Sequence, residues 1–380
     1  MADAASTAGC GFLVLALLGT LYALFASIAV ARFFRRRLPE ASIVPPVTLL
    51  KPLHGAEGGL SANLESFFRQ EYPAPVQILF GVQACDDGAI PVVRGLMAQY
   101  PAIDAELVTA VRGSGTNPKI ANLVHMMPHA KHNLIVLSDS DIGVSNDYLL
   151  RIAGSFAASD VGAATCCYAG NHSGGLWARL AAQGLDYHFL PGAVLGTALG
   201  LTKPCFGSTI ALKREVLERI GGFTAFRDRL ADDYEIGFAV RRLGLKVVFP
   251  PFVVTHACNE SSLSEVLRHE LRWARTIRSV NPWGFTGSLV THAFPLGFVG
   301  AGLIGFSPAG LACLAAALAA RVTLVLVTDA SLARRTSGLW LIPLRDMLSF
   351  AVFVAAFFSA RIDWRGTNFR VDKGGALARD

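Results

Sequence analysis

Asn133-Leu134-Ile135-Val136-Leu137-Ser138-Asp139-Ser140-Asp141 is an apolar, partly β-branched run that ends in two carboxylates one residue apart. Such a short run reads as a buried strand, and the acidic pair marks the loop where it leaves the sheet. Upstream, Val76-Gln77-Ile78-Leu79-Phe80-Gly81-Val82 has the same build and leads into Gln83-Ala84-Cys85-Asp86-Asp87. Residues 47–50 (VTLL) and 106–111 complete four β-rich runs, spaced by helix-like stretches at 60–69 and 89–99. Strands alternating with helices predict an α/β fold with a mainly parallel sheet, whose ligands gather at the carboxyl ends of the strands.

The rest of the chain is more apolar than such a domain needs. Of its 380 residues 52% are hydrophobic and 16% charged, with a mean hydropathy of +0.44, whereas a soluble domain carries about a quarter charged residues. Charges are frequent between Arg32 and Arg278 and nearly absent at 11–30 and 285–320. This predicts a water-facing domain between membrane segments. Residues 11–30 are uncharged and long enough to cross a hydrocarbon core of ~30 Å. Arg32, Arg35, Arg36 and Arg37 follow this run instead of preceding it, which argues for a retained anchor with its basic flank and the next domain in the cytoplasm.

Beyond Pro282, residues 285–306 and 310–327 read as a membrane hairpin divided at Ser307 and Pro308. Arg321, inside the second arm, must face protein or an interface. Residues 339–360 are interrupted by Pro343, Arg345 and Asp346 and carry basic residues on both flanks, so a re-entrant segment is preferred to a full span. The predicted organisation is an anchor at 1–38, a cytoplasmic domain at 39–283 and a membrane domain at 284–380. Seven cysteines without a CxxC pair fit neither a disulfide framework nor a zinc site and point to a reducing compartment. The net charge of +6 lacks a basic stripe with interleaved aromatics, so nucleic acid is not expected as a partner; anionic headgroups beside the apolar segments are.

Burying Asp139 and Asp141 unpaired would be costly, and a hard divalent cation, Mg²⁺ or Mn²⁺, would offset that cost. Such a cation bridges the phosphates of a nucleotide sugar and neutralises a departing diphosphate. A solvated turn reads equally from the two residues alone; their place after a buried-looking strand favours the metal. Asp86 and Asp87 would open toward the same crevice and accept from a nucleobase or ribose, although a plain turn has the same sequence. Asp232-Asp233-Tyr234-Glu235 precedes a helix-like stretch, where carboxylates act as caps or, alternatively, as the general base on an acceptor hydroxyl. His269-Glu270-Leu271-Arg272-Trp273-Ala274-Arg275-Thr276, with Arg268 just before it, sets Arg268, Arg272 and Arg275 at helical spacing, suited to phosphate or to a snorkelling collar at the membrane surface.

In this order, GVQACDD, TNPKIANL, SDSDI, LADDYEIG and HELRWART resemble the family 21 glycosyltransferases, the ceramide glucosyltransferases and their bacterial relatives in hopanoid biosynthesis. The resemblance runs from LKPLHG at Leu50 through Gly207-Ser208-Thr209 to Trp364-Arg365-Gly366. It implies a GT-A-type nucleotide-sugar domain with an N-terminal transmembrane helix and C-terminal membrane helices. By that resemblance Asp87, with Asp86, lies on the uridine side of a UDP-sugar. Asp139 and Asp141 match the metal and diphosphate motif, and Asp233 the catalytic base. Arg272 and Trp273 match the family's RW signature near the diphosphate, and Lys119 and Asn122 a motif beside the donor. His269 departs from the Gln or Arg usual at its position. A full Asp139-x-Asp141 pair favours metal dependence.

The implied activity is a single inverting transfer from a UDP-sugar to a lipid hydroxyl in the bilayer. Glucose to ceramide comes first, and N-acetylglucosamine to a hopanoid polyol close behind. A processive polysaccharide synthase would share the motifs but need more spans. A non-catalytic lipid-binding protein would need every acidic cluster to be a cap or turn.

Overall fold

The four apolar runs enter one sheet, because each buries side chains on both faces and so needs a covering layer on either side. The computed structural model describes residues 2–39, 44–109, 115–172, 174–359, 361–364, 367–371 and 377–379. They form two compact units: an apolar-helix unit of Met1–Arg36, Gly174–Thr202 and Glu260–Phe369, and a sheet unit of Arg37–Ser173, Lys203–Asn259 and Arg370–Asp380.

In the sheet unit the strands are β1 (Val47–Pro52), β2 (Val76–Val82), β3 (Asp104–Thr109), β4 (Leu134–Leu137), β5 (Ile142–Gly143), β6 (Val161–Thr165), β7 (Cys167–His172), β8 (Ile210–Lys213), β9 (Lys246–Val248) and β10 (Val253–Cys258). Seven of them form a sheet in the order β3-β2-β1-β4-β8-β6-β9. Pairing is parallel except where β8 runs antiparallel to β4 and β6. The expected mainly parallel α/β fold is therefore present; the third run is realised as β3, and its expected end at 110–111 lies outside the described residues.

The two-residue strand period sorts the core. Val47, Leu49, Ile78, Phe80 and Val136 pack on one face with Leu64, Phe67 and Phe68. Leu50, Leu79, Ile135 and Leu137 pack on the other with Ile120, Leu123, Met126, Ile236 and Val240. A second sheet, β5-β10-β7, has no counterpart in the sequence reading. There β10 pairs parallel to β7 and antiparallel to β5, setting His256 opposite Ile142.

The apolar-helix unit contains two helices long and apolar enough to cross a membrane, over Ala4–Phe34 and Pro308–Ser331. The expected first hairpin arm at 285–306 is not one helix. It breaks into Pro282–Gly287, a 3₁₀ turn at Ser288–Thr291, and Ala293–Leu303. Gly284, Gly287 and Pro295 interrupt a run that hydropathy alone scores as continuous. The stretch at 339–360 forms a 3₁₀ turn and a 14-residue helix, Ile342–Ala355, which rises only about 21 Å. Within the apolar-helix unit, 174–202 and 260–283 group with the apolar helices. Residues 176–201 carry few charges, a signal the composition did hold. Arg365 and Gly366 of the tail motif, and the side chain of Trp364, lie outside the described residues.

Candidate active site

The site is built where β4 stops pairing. The turn after Ser138 sends Asp139 and Asp141 outward, each side chain about a third exposed (34% and 32%), before Ile142 enters the second sheet. Ala257 N donates to the Asp141 carbonyl at 2.9 Å, and the β5–β10 register brings the His256 imidazole to Asp141, Nε2 to Oδ2 3.2 Å. His256 is itself buried. Burial opposes its charge, but Asp141 outweighs burial and holds it well above the usual imidazole range.

Asp139 faces a cation from another element. Asn117 caps the helix Pro118–Met126, its Oδ1 accepting from Ile120 N, with Pro118 in the first turn. Lys119 therefore projects from the helix mouth, 2.6 Å from Asp139 and 3.5 Å from Asp232. Burial raises the Asp139 carboxyl pKa; Lys119 pulls it back only in part. Burial likewise works against the Lys119 ammonium, yet Asp139 and Asp232 hold its pKa above the ordinary lysine range.

The third carboxylate group opens the helix Asp232–Arg242. Asp232 is buried and accepts from Asn117 Nδ2 at 3.2 Å. Asp233 Oδ1 accepts from Tyr234 N at 2.8 Å and Oδ2 from Gly207 N at 3.0 Å. Burial, then the neighbouring Asp232, pushes Asp233 up to about 6, with Lys119 opposing. Gly207 joins the two halves of the site: a Cβ there would stand 2.9 Å from Asp139 Oδ2 and 3.0 Å from Lys119 Nζ, so any larger residue displaces one of them.

Beneath the turn lies Lys51. Its amine donates to the Asp139 carbonyl and to Ser138 Oγ, and burial pushes its pKa down to about 7.

Asp139, Asp141, Lys119 and Asp233 thus share one end of the sheet unit. The other expected residues behave differently. Asp87 Oδ1 accepts from Gly55 N and Ala89 N, tying the loop after β1 to the next helix, while Asp86 is exposed beside it. Asn122 is buried and donates to the Gly81 carbonyl at 2.6 Å, so its amide fastens a helix to β2. His269, Arg272 and Trp273 stand on the helix Leu263–Val280 of the apolar-helix unit. There the His269 ring packs 4.1 Å from that of Trp273 and its Nδ1 meets Glu260 at 2.9 Å. The sequence reading missed His256, Gly207 as a hydrogen-bond donor, and Lys51. A lone His in Val253-Val254-Thr255-His256-Ala257-Cys258 looks like a core residue until strand register is known.

The two carboxylates are hard oxygen donors that Mn²⁺ or Mg²⁺ accepts, while His256, held in its charged form by Asp141, has no lone pair to offer and orients that carboxylate instead. Among the described residues no three acidic, His or Cys side chains already converge as a cage, and Asp139 is engaged by Lys119. The residues fit a cation by chemistry, with Asp139 exchanging its lysine contact for it.

Glycosyl transferase family 21 matches residues 11–377. This chain belongs to that family. It is therefore a glycosyltransferase related to ceramide glucosyltransferases. It is 26% identical to ceramide glucosyltransferase 3 of Caenorhabditis elegans over 90% of this chain and 76% of that protein. Against ceramide glucosyltransferase 1 of the same animal it is 26% identical over 97% and 80%. A mannosyltransferase from Pyrobaculum calidifontis, solved with GDP-Man and Mn²⁺, superposes with a TM-score of 0.52 at 22% identity, covering 94% of this chain and 99% of that one. That likeness is one of fold, and it makes the sheet unit of this family 21 enzyme GT-A-like.

Proposed function

We propose that this enzyme transfers one sugar from a UDP-sugar to the hydroxyl of a membrane lipid with inversion at the anomeric carbon, glucose to ceramide first among the candidates. The observation that carries the reading is Asp233, a single carboxylate with its pKa pushed up to about 6 and anchored by Gly207 N. One base at such a pKa suits deprotonation of a hydroxyl near neutral pH.

Asp233 takes the proton as the acceptor oxygen forms its bond to the anomeric carbon, and the bond to the UDP oxygen breaks. Asp139 and Asp141 would hold a divalent cation, which when bound would supply positive charge to the leaving diphosphate, with His256 orienting the Asp141 carboxylate. Lys119 adds a second positive charge to that end and, through Asp232 and Asp233, keeps the base ionisable. Asp87 shapes the loop expected to take uridine, with Asp86 exposed on it. Arg272 and Trp273 are assigned to the diphosphate and acceptor by family motif, with His269 beside them. The apolar helices hold the enzyme in the bilayer, and Arg35 to Arg37, following the first of them, put the sheet unit on the cytoplasmic side.

The relatives named above support ceramide over a hopanoid acceptor. Mass spectrometry of products from purified enzyme, Mn²⁺, ceramide or hopanoid polyol, and UDP-glucose or UDP-N-acetylglucosamine tests this. Hexosylceramide is expected; an N-acetylhexosaminyl hopanoid would replace both substrates while leaving the mechanism, and no glycolipid from any pair would overturn the reading.

A further inference from the structure

Lys51 is an expensive residue to keep where it is. Its side chain is wholly buried on β1, on the face shared with Val47 and Leu49, and its amine lies 3.9 Å from the centre of the Phe67 ring. No carboxylate forms an ion pair with it among the described residues. A methionine would fill the same apolar space without desolvating an amine. Core packing therefore does not explain it.

Its position does. β1 and β4 pair in register as far as Leu50 and Leu137, and Ser138 N still donates to Leu50 O at 3.1 Å. Lys51 is the next residue along, at the point where the Ser138-Asp139-Ser140-Asp141 turn departs from the sheet. The amine reaches up to the Asp139 carbonyl at 2.5 Å and Ser138 Oγ at 3.3 Å. The next two carbonyls of the acidic turn are also taken, Ser140 O by Asn63 Nδ2 at 3.5 Å and Asp141 O by Ala257 N at 2.9 Å. Three donors from three separate elements thus fix three successive carbonyls. Lys51 holds the residue whose carboxylate must leave Lys119 for the cation, and its N–H groups donate whether or not the amine is protonated.

We infer that Lys51 is a positioning residue, which sets the main chain of Asp139 so that the Asp139 and Asp141 carboxylates present to one divalent cation, and which itself touches neither donor nor acceptor. The inference rests on the proposed metal role of those carboxylates. Its test is Mn²⁺ binding to the full-length enzyme in nanodiscs, followed by electron paramagnetic resonance, for wild type, Asp139→Asn, Lys51→Met and Ser138→Ala, with melting temperatures and steady-state kinetics alongside.

Lys51→Met is expected to weaken Mn²⁺ binding about tenfold, in line with the loss of groups that orient metal ligands. The Mn²⁺ concentration giving half-maximal transfer should rise equally, with KM for lipid and melting temperature held. Ser138→Ala should bind Mn²⁺ as wild type does. Mn²⁺ binding unchanged in Lys51→Met would overturn the inference, as would a folding loss in that variant or an equal defect in Ser138→Ala. If wild type binds no Mn²⁺, or Asp139→Asn binds it normally, the metal reading itself fails and Lys51 falls with it.

Discussion

With Asp233 as the proposed base, turnover hangs on its ionisation. Replacing it with Asn should cut kcat by roughly 10²–10⁴, the usual worth of a general base, with UDP-sugar binding retained in equilibrium dialysis. The pH profile follows from the same group. Its acidic form dominates below about 6, so the rate should fall tenfold per unit below that point, whereas an ordinary aspartate would hold its rate to about pH 4. Lys119 opposes the upward shift, and in Lys119→Met the acid limb should move to higher pH; a limb that stays put in stopped assays across pH 5–8 would detach Lys119 from the base. Asp139, Asp141 and Asp233 stood out in the sequence because acidic residues after apolar runs or at helix starts have few inexpensive roles, and the fold sets them at one end of the sheet unit. Asn122 and Asp87 were legible as polar, but not as groups already engaged by the main chain, since their partners are backbone atoms of Gly81, Gly55 and Ala89 that only folding brings near.

Packing between apolar helices poses a different problem at the scale of elements, because lipid gives them little hydrophobic reason to associate. In the apolar-helix unit the helix Ala2–Phe34 meets Ala293–Leu303 through small residues. A Cβ on Gly19 would lie 2.5 Å from Val290 O, and one on Gly300 would lie 3.0 Å from Leu13 N. Backbone cannot step aside as a side chain can, so Gly19→Ala should cost about 1–3 kcal/mol, read as a lower melting temperature in detergent. The helix carrying Arg321 is fastened otherwise. The guanidinium pairs bidentately with Asp346 at 2.8 and 2.7 Å and donates to the Tyr187 carbonyl, in a five-residue π-helix at Leu185–Phe189. Arg321→Met alone should destabilise by about 3–5 kcal/mol and the double change Arg321→Met/Asp346→Leu by far less; equal losses would mean that the pair is not what matters. The charge of Arg321 was readable and its need for protein contact followed, but the carboxylate 25 residues on was not identifiable, nor was the broken course of 282–303. Hydropathy averages over a window and does not see where the chain turns.

At the scale of the whole molecule, the most exposed tryptophans among the described residues, Trp283 and Trp340 (86% and 74% exposed), both belong to the unit with the apolar helices. Such rings settle at the headgroup level of a bilayer. Reconstitution into vesicles of brominated phospholipid should quench most of the protein's fluorescence, and Trp283→Phe/Trp340→Phe should remove most of what is quenched; unquenched emission would place that face in water. The sheet unit was readable as a layer because its strands are local runs, whereas which distant stretches meet in each unit is not written in any one of them. The apolar-helix unit is made of three separate stretches and the sheet unit of intervening ones. No two cuts in the gene therefore release the whole sheet unit without stretches of the other, so trimming the ends alone does not isolate it. Recombination faces the same constraint: a single crossover anywhere between Arg37 and Phe369 divides both units between two parents, so segments exchanged with a relative must match across each unit at once.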